Sequence, residues 1–120
     1  DICVPISNIT ECVNFAEKQA EKFGLRAPMV GHLGDGNFHV ILPYDPAKKE
    51  MYERIREFND LLIKKGLELN GTITGEHGVG LHKKKYLLEQ HADNMPVMKS
   101  IKRTLDSNNI MNPGKIFDLN

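Results

Sequence analysis

An Asp-Gly pair between two apolar runs places the strongest constraint on how this chain can fold. Residues 35–36 separate the runs 27–33 and 38–44, both of which have the composition of β-strands. Asp-Gly tolerates the positive φ angles that a tight hairpin turn requires. The sequence therefore predicts two antiparallel strands joined at a two-residue turn, with His32 directly opposite His39 on one face.

The runs on either side of this hairpin complete a regular order of strands and helices. Their spacing predicts a strand over 1–6, helices over 9–23 and 46–69, a short strand over 72–74, and helices over 81–90 and 95–106. In the last helix, the residues predicted to face inward are Val97, Met98, Ile101 and Leu105. The first six elements have the order β-α-β-β-α-β, which is typical of a ferredoxin-like fold. The sequence therefore predicts the α+β class. We expect a four-stranded antiparallel sheet, both main helices on one face, and two further C-terminal helices.

The size and charge of the chain argue against several classes of protein. Its 120 residues suffice for one compact domain, and 16 basic residues balance 16 acidic ones. A formal net charge of zero argues against a dedicated nucleic-acid binder, which usually needs an excess of positive charge. Apolar runs are only a few residues long, too short for a transmembrane helix. The two cysteines form no paired metal motif, which favours a reducing, cytoplasmic location.

Two histidines that face each other across a hairpin can bind one metal ion together. Directly opposed Cβ atoms lie about 4.5–5.5 Å apart, so the imidazoles of His32 and His39 are within reach of a shared cation. Glu76 and His77 follow the short strand 72–74 and are expected at the same end of the sheet. Two histidines and one carboxylate with open positions are typical of a catalytic metal site. Zn²⁺, Fe²⁺ and Mn²⁺ all suit these donors.

The spacing leaves the roles of Glu76 and His77 open. Either Glu76 binds the metal and His77 acts as general base, or the reverse holds. Histidine titrates near neutral pH, the range that a general base requires. Asp35 is a candidate for an additional ligand, although its place in the turn already explains its presence. In a further interpretation, residues 75–80 form only a tight structural loop.

Three segments, in the same order along the chain, resemble the C-terminal part of FAD-linked oxidases, the vanillyl-alcohol-oxidase-type flavoproteins. These segments are residues 31–39, 71–80 and 110–117, and the opening residues 1–7 are similar to the same family. The family includes D-lactate dehydrogenase, the glycolate oxidase flavoprotein subunit and D-2-hydroxyglutarate dehydrogenase. The resemblance extends over essentially the whole chain, and three motifs in the same order make it specific.

The resemblance implies three groups of site residues. They are the metal ligands His32, His39 and Glu76, the base His77 that takes the substrate hydroxyl proton, and the flavin contacts Asn112 and Lys115. The implied reaction is oxidation of a 2-hydroxy acid, D-lactate or glycolate, to the 2-oxo acid, with hydride transfer to FAD. Zinc is the favoured metal, ahead of manganese or iron. Ile41 is apolar where 2-hydroxyglutarate dehydrogenases tend to carry Asn, which favours a small monocarboxylic substrate.

The resemblance also implies that residues 1–120 are the C-terminal substrate and metal part of a larger enzyme. The N-terminal FAD-binding domain, which binds most of the flavin, is absent, so the chain alone is expected to be inactive. The absence of an initiating Met fits a processed or excised chain. The expected partners are this FAD-binding domain, the 2-hydroxy acid and electron-acceptor subunits. Through such subunits an otherwise cytoplasmic protein could be peripheral at a membrane.

Three other functions compete with this interpretation. The first is a stand-alone metal-binding ferredoxin-like module with a regulatory or sensor role. The second is a metal-dependent hydrolase, although the chain lacks the His-Glu-x-x-His helix motif. The third is an interaction domain with no site at all, which the clustered histidines and glycines disfavour.

Overall fold

A computed structural model describes residues 1–119 of the chain. Residues 1–77 form one compact unit, and the residues from Gly78 onward form a second. The first unit contains the strands β1 (Ile2–Cys3), β2 (Met29–His32) and β3 (Asn37–Val40) and the helices α1 (Ile9–Lys22) and α2 (Lys49–Glu68). The second unit contains the helices α3 (Lys84–His91) and α4 (Met95–Leu105). No helix within residues 1–119 combines the length and apolar character needed to cross a membrane.

The sheet confirms the mixed α+β class in a smaller form than the sequence predicts. Its three strands are antiparallel and lie in the order β1-β3-β2. The predicted fourth strand over 72–74 is reduced to one bridge, in which the Thr72 N–H donates to the Cys3 carbonyl at 2.8 Å. From Gly75 onward, the N–H groups of three consecutive residues donate to the Asp1 carboxylate. The ladder between β1 and this segment consists of a single pair.

The hairpin between β2 and β3 has a different register from the predicted one. His32 lies opposite Asn37, and Val30 lies opposite His39, so the prediction that the two histidines are directly opposed is wrong. The connection is a 3₁₀ turn over Leu33–Asp35 followed by Gly36 at φ 77°. This longer loop lets the Gly36 carbonyl accept a hydrogen bond from the Val4 N–H at 2.9 Å.

The register shift nevertheless keeps both histidines on one face of the hairpin. Side chains alternate faces along a strand, so a shift of two residues preserves the face, whereas a shift of one would reverse it. His32 and His39 are therefore diagonal neighbours, and their ring centroids lie 6.3 Å apart with perpendicular planes.

The core of the first unit lies between the sheet and its two helices. Buried side chains from β1, β3, α1 and α2 form this core, together with Val4, which directly follows β1. From the strands and helices they include Ile2, Phe38, Cys12, Ala16, Ala20, Phe58 and Leu62. The small side chains of α1 recur every four residues, which lets the two helices approach closely. This layer of helices supports the strands that carry the histidines.

Cys12 shows how fully this core excludes water. Burial raises the pKa of its thiol to about 11, against an opposing effect of the Lys65 ammonium. The thiol therefore remains neutral at physiological pH and packs as a small apolar residue. Because the unfolded thiol ionises more readily, its contribution to the free energy of unfolding is complete below pH 9.0 and decreases as the pH rises toward about 11.

In the second unit, Asp106 fixes the chain that follows α4. Its carboxylate accepts hydrogen bonds from Lys102 Nζ and from the N–H groups of Ile110 and Met111, the latter two at 3.0 Å. The Lys102 hydrogen bond lowers the pKa of Asp106 below its ordinary value of 3.8, while burial opposes the shift. The stabilising contribution is therefore present at neutral pH and is lost as the pH falls through the folded pKa.

The apolar face of α4 is more exposed than the sequence predicts. Val97, Ile101 and Leu105 were expected to face inward, but all three are exposed, Leu105 to 78%. Ile110 and Met111 are exposed as well. Helical spacing correctly identifies which residues share a face, but it carries no information on what covers that face.

Candidate metal centre

Four predicted site residues meet at one end of the sheet of the first unit. The Glu76 carboxylate lies at their centre. Its Oε1 is 2.9 Å from His39 Nε2, 3.8 Å from His32 Nε2 and 3.9 Å from His77 Nε2. The structure therefore brings together the residues from both glycine-rich segments, which lie far apart in the sequence.

The three imidazoles are arranged around an open site. The rings of His39 and His77 are stacked, with centroids 4.7 Å apart and an interplanar angle of 3°. The side chains of His32 and His77 are 64% and 61% exposed, whereas that of His39 is 18% exposed. A small ligand can therefore reach His32 and His77 from solvent, whereas the surrounding residues shield most of the His39 side chain.

The donors of His32, His39 and Glu76 suit a divalent metal. One ligand atom from each residue lies within 4.8 Å of the others. Ligand atoms around a tetrahedral zinc ion are about 3.3 Å apart, given metal–ligand bonds of about 2.0–2.1 Å. The distances from Glu76 Oε1 to the two histidine nitrogens, 2.9 and 3.8 Å, lie on either side of that value. These residues therefore fit a two-histidine, one-carboxylate centre with free coordination positions.

Asp1 is a site residue that the sequence reasoning missed. Its side chain is only 3% exposed. Its Oδ2 accepts hydrogen bonds from the Thr74 hydroxyl at 2.6 Å and from the N–H groups of Gly75 and His77 at 3.0 and 3.1 Å. Its Oδ1 accepts from the Glu76 N–H at 3.3 Å. In the usual ferredoxin-like strand order, 4-1-3-2, the first strand lies beside the fourth, here residues 72–74. That order is the one signal in the sequence that could have indicated Asp1.

A second group of possible ligands consists of Asp1, His39 and His77. A carboxylate offers about four lone-pair positions, and Asp1 already accepts four hydrogen bonds. A metal at Asp1 would have to displace some of these donors. The His32, His39 and Glu76 group loses no backbone hydrogen bond on binding a cation, so it is the better candidate.

Gly75 is needed where the loop passes Asn37. Asn37 is buried, and a Cβ atom added at Gly75 would lie 2.3 Å from Asn37 Oδ1. Contacts below 3.0 Å require the backbone or the amide to shift. Glu76 is the next residue, so such a shift would move a predicted metal ligand.

We therefore expect the variant Gly75→Ala to bind zinc at least about 10-fold more weakly than the unchanged chain, comparable to losing a residue that orients a ligand. The measurement is a zinc titration against a chromophoric chelator. Gly34→Ala is the matched control, because a Cβ atom at Gly34 meets nothing within 4 Å. Equal zinc affinity in both variants would show that the close packing at Gly75 is irrelevant to the site.

The remaining predicted residues lie elsewhere. Asp35 is in the 3₁₀ turn and belongs to neither ligand group found among residues 1–119. Asn112 and Lys115 are in the second unit, exposed in a turn where the Lys115 N–H donates to the Asn112 carbonyl at 3.2 Å. Their contact with flavin stays a prediction.

Comparison with known proteins gives a consistent family. Residues 1–116 match the family described as FAD linked oxidases, C-terminal domain. The chain is 41% identical over 118 residues to the mitochondrial D-lactate dehydrogenase [cytochrome] of Arabidopsis thaliana, covering 98% of the chain and 21% of that protein. It is 39% identical over 118 residues to glycolate oxidase subunit GlcD of Bacillus subtilis, covering 98% of the chain and 25% of the subunit.

A third relative is the D-2-hydroxyglutarate dehydrogenase of Stutzerimonas stutzeri. It is 39% identical over 90 residues, which cover 72% of the chain and 19% of that protein. The chain thus spans about a fifth to a quarter of the length of these relatives. The rest of each relative lies outside the compared region.

Proposed function

The chain belongs to the family of FAD linked oxidases, C-terminal domain, and from this premise we propose that it is the substrate and metal part of an FAD-dependent 2-hydroxy-acid dehydrogenase. The observation that carries the proposal is the meeting of His32, His39, Glu76 and His77 at one open site. Relatives named D-lactate dehydrogenase and glycolate oxidase subunit support the same class of substrate.

In the proposed reaction, D-lactate or glycolate is oxidised to the 2-oxo acid. FAD, when bound, supplies the acceptor for the two electrons and the hydrogen that leave C2 as hydride. His77 accepts the proton of the substrate hydroxyl. Two observations support this role: the ring is largely exposed, and its Nε2 lies 3.9 Å from Glu76 Oε1, beside the proposed metal ligands. Histidine is suited to proton transfer near neutral pH.

His32, His39 and Glu76 are the proposed ligands of a divalent metal, with zinc favoured over manganese or iron. A bound cation supplies positive charge that polarises the hydroxyl and carboxylate oxygens of the substrate. Glu76 contributes the negative charge that two neutral imidazoles lack. A small monocarboxylic substrate is proposed because Ile41, an exposed residue two positions after His39, is apolar where 2-hydroxyglutarate dehydrogenases tend to carry Asn.

We further propose that the sheet is ferredoxin-like. The bridge between Cys3 and Thr72 lies on the side of β1 away from β3, where the fourth strand of that fold would lie. The observed order is therefore compatible with a fourth strand shortened to one residue pair. The shortening leaves the next residues free to form the loop that carries Glu76 and His77.

The exposed face of α4 supports the proposal that the chain is part of a larger enzyme. Exposed apolar patches commonly mark contact surfaces. An FAD-binding domain of the same protein is the proposed neighbour, and electron-acceptor subunits are further proposed partners. A cytoplasmic location, or a peripheral one at a membrane through such subunits, stays a prediction. Several relatives, that of Arabidopsis thaliana among them, carry the word mitochondrial in their names.

The test is anaerobic reduction of the flavin in the full-length enzyme that contains this chain. D-lactate or glycolate is expected to bleach the oxidised flavin absorbance, with one equivalent of 2-oxo acid formed per flavin. L-lactate is the control for stereospecificity. Absence of bleaching with every 2-hydroxy acid tested would contradict the proposal. Ester hydrolysis by the zinc-loaded chain without flavin would instead favour a metal-dependent hydrolase.

A further inference from the structure

We infer that Asp1 is a positioning residue that holds Glu76 and His39 in place for metal binding, an inference that rests on the proposed metal site. The Asp1 side chain is almost completely buried and lies beside His39, the least exposed ring of the centre. A buried carboxylate is costly unless hydrogen bonds compensate for the loss of water. Four of the hydrogen bonds that this carboxylate accepts come from the segment that carries Glu76.

The first action of Asp1 is on the backbone of the loop. The N–H groups of three consecutive residues, Gly75, Glu76 and His77, donate to the same carboxylate at 3.0–3.3 Å. The Thr74 hydroxyl adds a fourth hydrogen bond. Hydrogen bonds to a charged acceptor are stronger than neutral ones. The loop is thereby fixed on β1, and the Glu76 side chain is directed toward His39.

The second action of Asp1 is on His39. The Nδ1 atom of His39 is buried and has no hydrogen-bond partner within the described residues, and Asp1 Oδ1 lies 3.6 Å from it. On the other side of the ring, Nε2 faces Glu76 Oε1 at 2.9 Å. When a cation lies between Nε2 and Glu76, a carboxylate beside Nδ1 favours the tautomer that carries its proton there, which leaves the Nε2 lone pair for the cation. One carboxylate therefore acts on two ligands at once.

This arrangement explains why Asp1 is not itself a ligand. Its oxygens are occupied by the loop, and its burial keeps it out of the open part of the centre. Groups that orient metal ligands in this way typically change metal affinity by about 10–100-fold when they are removed.

The experiment compares zinc affinity in the 120-residue chain and in two variants. Asp1→Asn keeps the size of the side chain but removes its charge, and it is expected to bind zinc about 10–100-fold more weakly. Asp106→Asn is the matched control, because Asp106 also accepts consecutive backbone N–H groups but belongs to the second unit. It is expected to retain the affinity of the unchanged chain. Zinc binding by Asp1→Asn at that same affinity would overturn the inference.

Two further readouts separate positioning from general destabilisation. The amides of Gly75, Glu76 and His77 are expected to exchange faster with deuterium in Asp1→Asn, while those of α1 keep their protection. The ¹⁵N shifts of the His39 ring are expected to move away from the Nδ1-protonated pattern. Unchanged loop exchange and unchanged ring shifts would each contradict a positioning role.

A second variant covers the case in which Asp1→Asn fails to fold. Asp1→Glu retains the charge but moves the carboxylate by one methylene, so we expect a folded chain with weakened zinc binding. Zinc affinity equal to that of the unchanged chain would contradict the inference. An unchanged chain that binds no zinc would contradict the proposed metal site itself. Tight binding by the unchanged chain and by Asp1→Asn would contradict only the role of Asp1.

Discussion

Replacing His77 by Ala in the full-length enzyme is expected to lower turnover of the 2-hydroxy acid by about 10²–10⁴-fold, the usual contribution of a general base. His77 lies beside Glu76 and stacks on His39, but its ring is largely exposed and it is not among the three proposed ligands. The substitution should therefore remove the proton acceptor without removing the metal. The measurement is kcat together with the zinc content of the same preparation.

His82→Ala is the control for this experiment, because His82 is an exposed histidine of the second unit. It should leave kcat and zinc content unchanged. A His77→Ala enzyme with near-normal kcat would show that His77 is not the base. Loss of zinc together with turnover would instead assign His77 to the metal and reopen the choice between it and Glu76.

Replacing His32 by Ala is expected to weaken zinc binding by more than about 100-fold, since loss of a ligand exceeds the effect of losing a residue that orients one. His32 is at the end of β2 and its side chain is mostly exposed, so the free energy of unfolding of the metal-free chain should change little. Isothermal titration with zinc and thermal unfolding of the metal-free chain measure the two quantities. His91→Ala, at the end of α3, is the matched control. Undiminished zinc affinity in His32→Ala would remove this residue from the ligand set.

The central pair of histidines could be predicted from the sequence even though its register could not. An Asp-Gly pair indicates a hairpin, but it does not determine how many residues leave the ladder. Here Gly36 pairs with Val4, a contact with a third segment that local turn chemistry does not reveal. Side chains alternate between the two faces of a strand, so a register shift of two residues leaves His32 and His39 on the same face. The predicted proximity of the two histidines therefore does not depend on the register error.

The role of Asp1 could not be predicted for a different reason. A single acidic residue beside an apolar strand has no sequence pattern that distinguishes burial from exposure. Its importance depends on a loop more than seventy residues away, whose N–H groups turn toward it.

The exposure of α4 reflects a third limit. Apolar residues at helical spacing show that a face avoids water in the complete protein, but not which part of the protein covers it. Since the chain spans only about a fifth to a quarter of its relatives, that cover is proposed to lie in the remainder of the enzyme.

The metal content of the purified 120-residue chain, measured by elemental mass spectrometry without an affinity tag, tests the central claim most directly. The account predicts about one zinc ion per chain, or one manganese or iron ion in its place. The same preparation of His32→Ala should contain almost none. A chain that contains no divalent metal, and takes up none from a solution of zinc, manganese or iron, would contradict the proposed centre of His32, His39 and Glu76.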